Sequence, residues 1–237
     1  MVKIGNFFFH HRNYLFPFFY LILFVPAPQI TQYYTFVLIA GLSLSIFGQA
    51  VRILTIGLVY IHRGGRNRKI YAEGLVTDGI FAHCRNPMYV GNVLMLTGMA
   101  ILSNSLLSVL IIAPFFLFIY QSIILAEEDF LHGKFGPDYE KYCANTDQWF
   151  PRMKGLGSTI HSLQFRTKDA VFKEYNTTYL WMTGAVMIIA VNFFRMHGKS
   201  YFEAHLPVLA WLWILITMGY ISLKLIDKKK LFFFSKQ

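Results

Sequence analysis

The chain has 237 residues, of which 55% are apolar, 18% are aromatic and 14% are charged, and its formal net charge is +10. Soluble domains carry charges on about a quarter of their residues, so this composition excludes an ordinary soluble domain and indicates a protein with several membrane spans. The basic residues are divided among separate loops rather than gathered on one face, which argues against nucleic-acid binding.

About six apolar stretches approach the roughly 20 residues that cross the hydrocarbon core of a bilayer. Backbone groups in lipid must bond internally, so each stretch is expected to form a helix. The sequence therefore predicts an all-α, polytopic membrane helical bundle with a helical hairpin at 87–126. The predicted spans are 14–30, 34–61, 87–103, 105–126, 177–196 and 206–226.

The distribution of Lys and Arg predicts the orientation of these spans. All of them except Arg52, Arg195 and Lys199 fall in four segments that share one side of the membrane if the N-terminus is cytoplasmic: 1–13, 62–86, 127–176 and 224–237. Because basic loops stay inside, we expect both termini and the polar centre of the chain to be cytoplasmic. A bacterial inner membrane and an endoplasmic reticulum membrane fit this pattern equally. Arg52 lies within a span and is expected to face the bundle interior.

We predict one membrane domain in three regions. Residues 1–61 form an N-terminal two-helix region, and residues 62–152 form a polar core that contains the hairpin. Residues 153–237 form an interfacial segment followed by two more helices. These last helices carry few polar residues, so they are expected to serve as scaffold or as the contact surface of a homo-oligomer.

The hairpin at 87–126 places the candidate functional residues. Asn86-Pro87 starts its first helix, since proline is tolerated in a first turn, and Ser103-Asn104-Ser105 forms the tight turn. The second helix ends at Glu127-Glu128, which therefore return to the side of Arg85 and Asn86. Carboxylates at a helix end are often simply solvated, but here donors and acceptors surround them. We therefore predict Glu128 and Arg85 as catalytic residues.

Other kinds of site lack their usual patterns. The eight histidines include no His-x₃-His pair on a helix and no Cys/His set, so no metal site is predicted. Cys84 and Cys143 both fall on the predicted cytoplasmic side, where thiols stay reduced. The chain has neither a phosphate-binding Gly-x₄-Gly-Lys-Ser/Thr loop nor a Gly-x-Ser-x-Gly elbow.

At these residues the chain resembles the membrane methyltransferases typified by isoprenylcysteine carboxyl methyltransferase, with the phospholipid N-methyltransferases as relatives. The resemblance covers roughly 66–152. Its elements are the glycine-punctuated segment from Gly79 to Gly91, the hairpin, the Glu pair, a Phe-Gly-x-x-Tyr-x-x-Tyr pattern ending at Tyr142, and the aromatic-Pro-Arg at Arg152.

The resemblance implies that S-adenosylmethionine binds beneath a cytoplasmic cofactor-binding cap and that a membrane lipid or other lipophilic substrate enters from the bilayer. It implies that Glu127 binds the cationic amino-acid end of the cofactor. Glu128 would orient or deprotonate an amine or thiol nucleophile, whereas a carboxylate nucleophile needs no base. Carried over by position, the cofactor contacts are Arg66, Glu73, Gly74, Leu75, Val76, Phe81, Asn86, Pro87, Met88, Tyr89 and Glu127.

Two departures from the family pattern concern the substrate. Asn86 stands where a histidine is usual, and an amide cannot titrate. Gln121 begins the turn in which enzymes acting on prenylcysteine carboxylates are expected to carry an arginine. A phospholipid amine N-methyltransferase is therefore an alternative, and an NADPH-dependent enzyme of the sterol reductase type and a non-catalytic membrane scaffold also remain open.

Overall fold

The computed structural model of the chain describes residues 1–59, 63–66 and 69–234. This part of the chain forms helices α1 (Val2–Leu21), α2 (Tyr34–Leu58), α3 (Pro87–Leu102), α4 (Ala113–Phe135), α5 (Pro137–Asn145), α6 (Leu156–Ser162) and α7 (Thr167–Phe234), with an antiparallel hairpin of β1 (Arg63–Arg66) and β2 (Lys69–Ala72). A 3₁₀ turn spans Gly79–Ala82, and a π-helical turn, Ser108–Ile112, leads into α4.

The predicted fold class is confirmed: this is a helical membrane protein. Within the described part of the chain, three helices are long and apolar enough to cross a membrane, namely Tyr34–Leu58, Ser108–Phe135 and Thr167–Lys228. Helix α3 is apolar but shorter. The last residues of the predicted second span, 60–61, lie outside the described residues.

Helix α7 consists of two antiparallel arms. Gly198 has φ 82° and ψ −179°, which is outside helical geometry and reverses the chain. The Tyr179 ring stacks on the Tyr220 ring with centroids 4.2 Å apart, although the two residues lie on opposite sides of the break. The predicted spans 177–196 and 206–226 are therefore the two arms of one helical hairpin.

The position predicted for the first span, 14–30, is wrong. The first helix begins at Val2 and ends at Leu21. It ends early because Pro26 and Pro28 lack the backbone N–H that a continuing helix needs. It begins early because its N-terminal residues bury apolar surface, with Phe9 only 3% exposed.

Helices α2 and α3 pack closely through small residues. A Cβ atom added at Gly48 would lie 2.6 Å from the Gly91 carbonyl oxygen, and one added at Gly98 would lie 2.6 Å from the Gly41 carbonyl oxygen. No side chain fits between these backbones, as is typical of helix pairs in membranes. Gly91 and Gly98 therefore allow the two backbones to approach closely.

The predicted turn between α3 and the following helical segment is also confirmed. Asn104 adopts a positive φ of 51° and is 2% exposed. Its side-chain oxygen accepts bonds of 3.2 Å from the amides of Ile30 and Thr31, and its Nδ2 donates to the Thr31 carbonyl at 2.9 Å. The turn therefore also anchors the segment that precedes α2.

Arg52 faces the bundle interior, as predicted, and belongs to a buried polar network. Its Nε donates to Glu174 Oε2 at 2.9 Å, and its Nη2 lies 2.5 Å from Glu174 Oε1. Arg52 Nη1 also donates to Asn92. Gln49 Nε2 donates to Glu174 Oε2 at 2.9 Å, and Gln49 Oε1 accepts from Trp181 Nε1 at 2.9 Å. The network joins α2, α3 and the first arm of α7.

The replacement Gly98→Ala is expected to lower the free energy of unfolding by about 1–3 kcal/mol, because the new methyl group would overlap the α2 backbone. The measurement is thermal unfolding in detergent. Gly219→Ala is the matched control, since nothing lies within 4 Å of its added carbon. The control should be neutral or slightly stabilising because alanine favours helix. Equal stability of the two variants would contradict the close α2–α3 contact.

Candidate functional site

The two ends of the α3–α4 hairpin lie side by side. The Tyr89 hydroxyl, in the first turn of α3, donates a 2.7 Å hydrogen bond to Glu127 Oε1 near the C-terminal end of α4. Both side chains are half-buried, and the Tyr89 ring packs on Tyr120 with centroids 5.5 Å apart. A hydrogen bond to a carboxylate is stronger than one between neutral groups, so this pair holds the hairpin ends together.

Glu128 lies among three donors. Gln148 Nε2 donates to its Oε2 at 2.9 Å, Arg85 Nε lies 3.4 Å from its Oε1, and Asn86 Nδ2 lies 3.5 Å from the same oxygen. Burial alone would lower the pKa of Arg85, but the Glu128 carboxylate and smaller contributions from neighbours raise it above its usual value. Arg85 therefore stays cationic beside a carboxylate that several donors orient.

Helix α5, which we call the cap, closes the site at the hairpin ends. Burial raises the pKa of the Tyr139 phenol far above its usual range, and the nearby Glu128 carboxylate raises it further. The phenol therefore stays protonated and can donate a hydrogen bond. The Tyr142 hydroxyl donates to the Phe81 carbonyl at 2.7 Å, which fixes the 3₁₀ turn against α5.

Gln148 is a site residue that sequence reasoning missed. Besides donating to Glu128, it accepts from Asn86 through its backbone carbonyl at 3.3 Å and from Gln121 Nε2 through its side-chain oxygen at 3.1 Å. Trp149 Nε1 donates to Gln121 Oε1 at 2.6 Å. The sequence feature that could have identified Gln148 is its position directly before Trp-Phe-Pro-Arg, a segment that the family pattern includes.

The structure brings only part of the predicted set together. Tyr89 pairs with Glu127, and Arg85 and Asn86 group around Glu128, the next residue of α4. Pro87 is buried where α3 begins, and Met88 is half-buried beside it. In the described part of the chain, no three His, Cys, Asp or Glu side chains group at metal-ligand spacing.

The segment 73–76 lies against the cap. Leu75 packs with a buried cluster of Ala72, Leu131, Tyr139 and Tyr142. Lys134 Nζ donates to the Ala72 carbonyl and so ties β2 to α4.

The other predicted cofactor contacts in this part of the chain differ in exposure. Glu73 is exposed, Gly74 and Val76 are half-buried, and Phe81 is 1% exposed with a packing role. Leu75 also lines a cleft of about 420 Å³ that Thr77, Lys141 and Arg152 border. The side chain of Arg66, in β1, lies outside the described part of the chain.

His83 anchors the segment that follows the cap. Its Nδ1 donates to the Arg152 carbonyl at 2.7 Å, and its Nε2 lies 2.9 Å from Thr159 Oγ1 on α6. The Arg152 amide donates back to the His83 carbonyl at 2.9 Å. Because His83 directly precedes Cys84 and Arg85, these bonds fix the loop from which the site's arginine extends.

A sequence model of the phospholipid methyltransferase family matches residues 35–138 of the chain. This match begins at α2 and ends in α5. It therefore contains the whole α3–α4 hairpin and both polar groups at its ends, which are formed by Tyr89, Glu127, Arg85, Asn86 and Glu128.

Three proteins illustrate what the chain is similar to. The cobalt-zinc-cadmium resistance protein CzcN of Cupriavidus metallidurans is 32% identical over 169 residues, which cover 69% of this chain and 71% of the relative. The nickel-cobalt-cadmium resistance protein NccN of Alcaligenes xylosoxydans xylosoxydans is 26% identical over 161 residues, 62% of this chain and 71% of the relative. The protein-S-isoprenylcysteine O-methyltransferase of Schizosaccharomyces pombe is 37% identical over 68 residues, 29% of each chain. No solved structure matches.

The replacement His83→Ala is expected to release the segment 150–162, because it removes the two side-chain contacts that hold Arg152 and Thr159. Each lost hydrogen bond costs about 1 kcal/mol. Limited trypsin digestion in detergent should then cleave after Arg152 and Lys154 several-fold faster. The control is His161→Ala, since His161 is exposed on α6. Unchanged cleavage rates in His83→Ala would show that this histidine does not anchor the segment.

Proposed function

This chain belongs to the phospholipid methyltransferase family of membrane proteins, and we propose that it transfers a methyl group from S-adenosylmethionine to a lipid or other lipophilic acceptor. The observation that supports this most directly is the paired arrangement at the hairpin ends. Tyr89 and Glu127 form one polar pair, and Glu128 forms a second cluster with Arg85 and Gln148 one residue further along α4.

The first pair suits the amino-acid end of the methyl donor. A half-buried carboxylate binds an ammonium group well, and the Tyr89 hydroxyl holds Glu127 in place. The amides of Asn86 and Gln148 supply neutral donors and acceptors nearby. The residues present therefore fit a zwitterionic cofactor with a cationic reacting centre.

The second cluster suits the acceptor. S-adenosylmethionine supplies, when bound, an electrophilic methyl carbon on a sulfonium sulfur. An acceptor that attacks in line would take this methyl group, and the electron pair of the broken carbon–sulfur bond would stay on sulfur. Glu128 accepts the proton of an amine or thiol acceptor, and a carboxylate acceptor has no proton to lose. Arg85 and Gln148 hold Glu128 in one orientation, which favours attack in line.

The membrane position of α3 and α4 suits a lipophilic acceptor, because both helices are apolar up to the polar cluster. We place this cluster and both termini on the cytoplasmic side, on the basis of the basic loops that flank the spans. An acceptor then reaches Glu128 from the bilayer while the donor arrives from water.

The replacement Glu127→Gln is expected to weaken S-adenosylmethionine binding about tenfold to a hundredfold, because a charge-assisted hydrogen bond contributes about 1.5–3 kcal/mol. Tyr89→Phe should weaken it less, since the carboxylate remains. The measurement is isothermal titration calorimetry on the purified protein in detergent. Glu140→Gln is the matched control, because Glu140 is an exposed carboxylate that contacts His132 on the surface at 2.8 Å.

The result that contradicts this function is a parent protein that does not bind S-adenosylmethionine, or a Glu127→Gln variant that binds it as tightly as the parent. Thermal stabilisation by NADPH instead would favour the reductase alternative. Stabilisation by neither compound would favour a non-catalytic scaffold.

A further inference from the structure

A cleft of about 350 Å³ lies between the two arms of α7, and Ile53 of α2 also contributes to its wall. The rest of the lining comes from 165–182, at the start of the first arm, and from 215–223 on the second arm. These two stretches lie outside residues 35–138, which the family model matches. The cleft is therefore a feature of the C-terminal region of this chain.

The accessible surface of this cleft is almost entirely apolar. Leu215 and Val171 both line it and are 64% and 37% exposed, so the cleft opens toward the lipid-facing surface of α7. Nothing lies within 4 Å of a Cβ atom added at Gly219, another lining residue, so the cleft reaches the backbone of the second arm. Unfilled apolar space forfeits dispersion contacts, and the volume falls within the range of about 300–1,000 Å³ that is typical of ligand sites. We therefore expect an apolar chain to occupy the cleft.

Cations lie at the end of the cleft where α7 begins and ends. Lys224 Nζ donates to the Tyr220 hydroxyl at 3.3 Å, and Tyr220 forms part of the wall. Lys228 is exposed one turn further along the second arm. On the first arm, the exposed Lys168 follows Thr167, which also lines the cleft. Basic residues at the end of a membrane span attract anionic headgroups.

The acidic residues at this end do not cancel the three lysines. Asp169 forms an ion pair with Arg166 at 2.8 Å, and Glu174 belongs to the buried network that joins α7 to α2. Asp227 accepts a 3.3 Å hydrogen bond from the Tyr175 hydroxyl. With Asp169 and Glu174 paired to arginines, the three lysines outnumber Asp227, so the mouth of the cleft complements a negative charge.

We propose that this cleft binds one acyl chain of an anionic phospholipid from the surrounding leaflet, with the lipid phosphate at Lys224. The chain lies along Gly219 and extends toward Leu215, following the second arm into the bilayer. This lipid is distinct from the methyl acceptor, which must reach Glu128 at the hairpin ends. The proposal therefore does not depend on the proposed function.

The bound chain also contacts the network that orients α3. Glu174 lines the cleft and accepts from Arg52 Nε at 2.9 Å, and Arg52 Nη1 donates to Asn92 on α3. A chain that packs against Glu174 supports these contacts. Such a lipid is a structural component of the bundle rather than a reactant.

Native mass spectrometry on the full-length protein tests this proposal. The protein is purified in a mild detergent and mixed with equal amounts of phosphatidylglycerol and phosphatidylcholine that carry the same acyl chains. The measured masses give the number and kind of lipids that each protomer retains. Gly219→Leu fills the cleft, and Lys224→Gln removes the cation at its mouth. The matched controls are Ala210→Leu, at an exposed position of the second arm, and Lys199→Gln, at an exposed position where the chain reverses.

The parent is expected to retain one phosphatidylglycerol molecule per protomer, about fivefold more often than phosphatidylcholine, because a cation near an anionic headgroup contributes about that factor. Gly219→Leu should lose most of the bound lipid, since the leucine side chain occupies the space of the acyl chain. Lys224→Gln should still retain one lipid but lose most of the preference for phosphatidylglycerol. Both controls should behave as the parent does.

A parent protein that retains no lipid, or that retains both lipids equally, overturns the proposal, and this comparison needs no variant to fold. A Gly219→Leu variant that keeps the lipid of the parent overturns it as well, because the cleft is then not the site. A dimer mass without bound lipid also overturns it and shows that a second copy of the chain covers the cleft. If Lys199→Gln loses the preference as fully as Lys224→Gln, the selection is not made at this cleft and the proposal is wrong.

Discussion

The Arg52 guanidinium joins three helices, because a charge within a membrane bundle is stable only when protein groups pair with it. Each of its three nitrogens donates a hydrogen bond, two of them to Glu174 on α7 and one to Asn92 on α3. Removing one member would leave a buried charge without its partner, which costs about 3–5 kcal/mol. The network therefore makes α2, α3 and the first arm of α7 one unit, with their relative rotation set by hydrogen-bond geometry.

This unit determines where the functional side chains point. Asn92 lies one turn after Tyr89 on α3, so the bond from Arg52 also limits the rotation of the turn that carries Tyr89. The Tyr89 hydroxyl itself is bound to Glu127 on α4. The glycine contacts between α2 and α3 leave no room for a side chain to separate them. Helix α3 is thus held on two sides, which is what a precisely positioned site requires.

The cap and the segment that follows it, 146–162, are not attached by close helix packing. Segments outside the bundle cannot rely on lipid to enforce internal hydrogen bonds, and here they are held by a few specific bonds. Tyr142 binds the Phe81 carbonyl, and His83 binds Arg152 and Thr159. Gln148 then reaches Glu128 from this attached segment. A cap fixed at a few points over a rigid hairpin can open and close, and the proposed function requires this if a water-soluble donor is to enter and water is then to be excluded.

Sequence by itself determined the features that depend on local chemistry. Apolar runs must form helices in lipid, proline starts α3, and Asn104 tolerates the positive φ of the turn, so the hairpin and the proximity of Arg85 to Glu128 were predictable. The resemblance to a known family added Tyr89 and Glu127 to the predicted site.

Tertiary structure alone decided which helices face one another. A helical pattern shows which face is apolar or carries a charge, but it does not name the element that covers that face. Arg52 was expected to point inward, yet its partner Glu174 lies 122 residues away in the chain. Pairings across such separations depend on how whole helices pack, which no local pattern records.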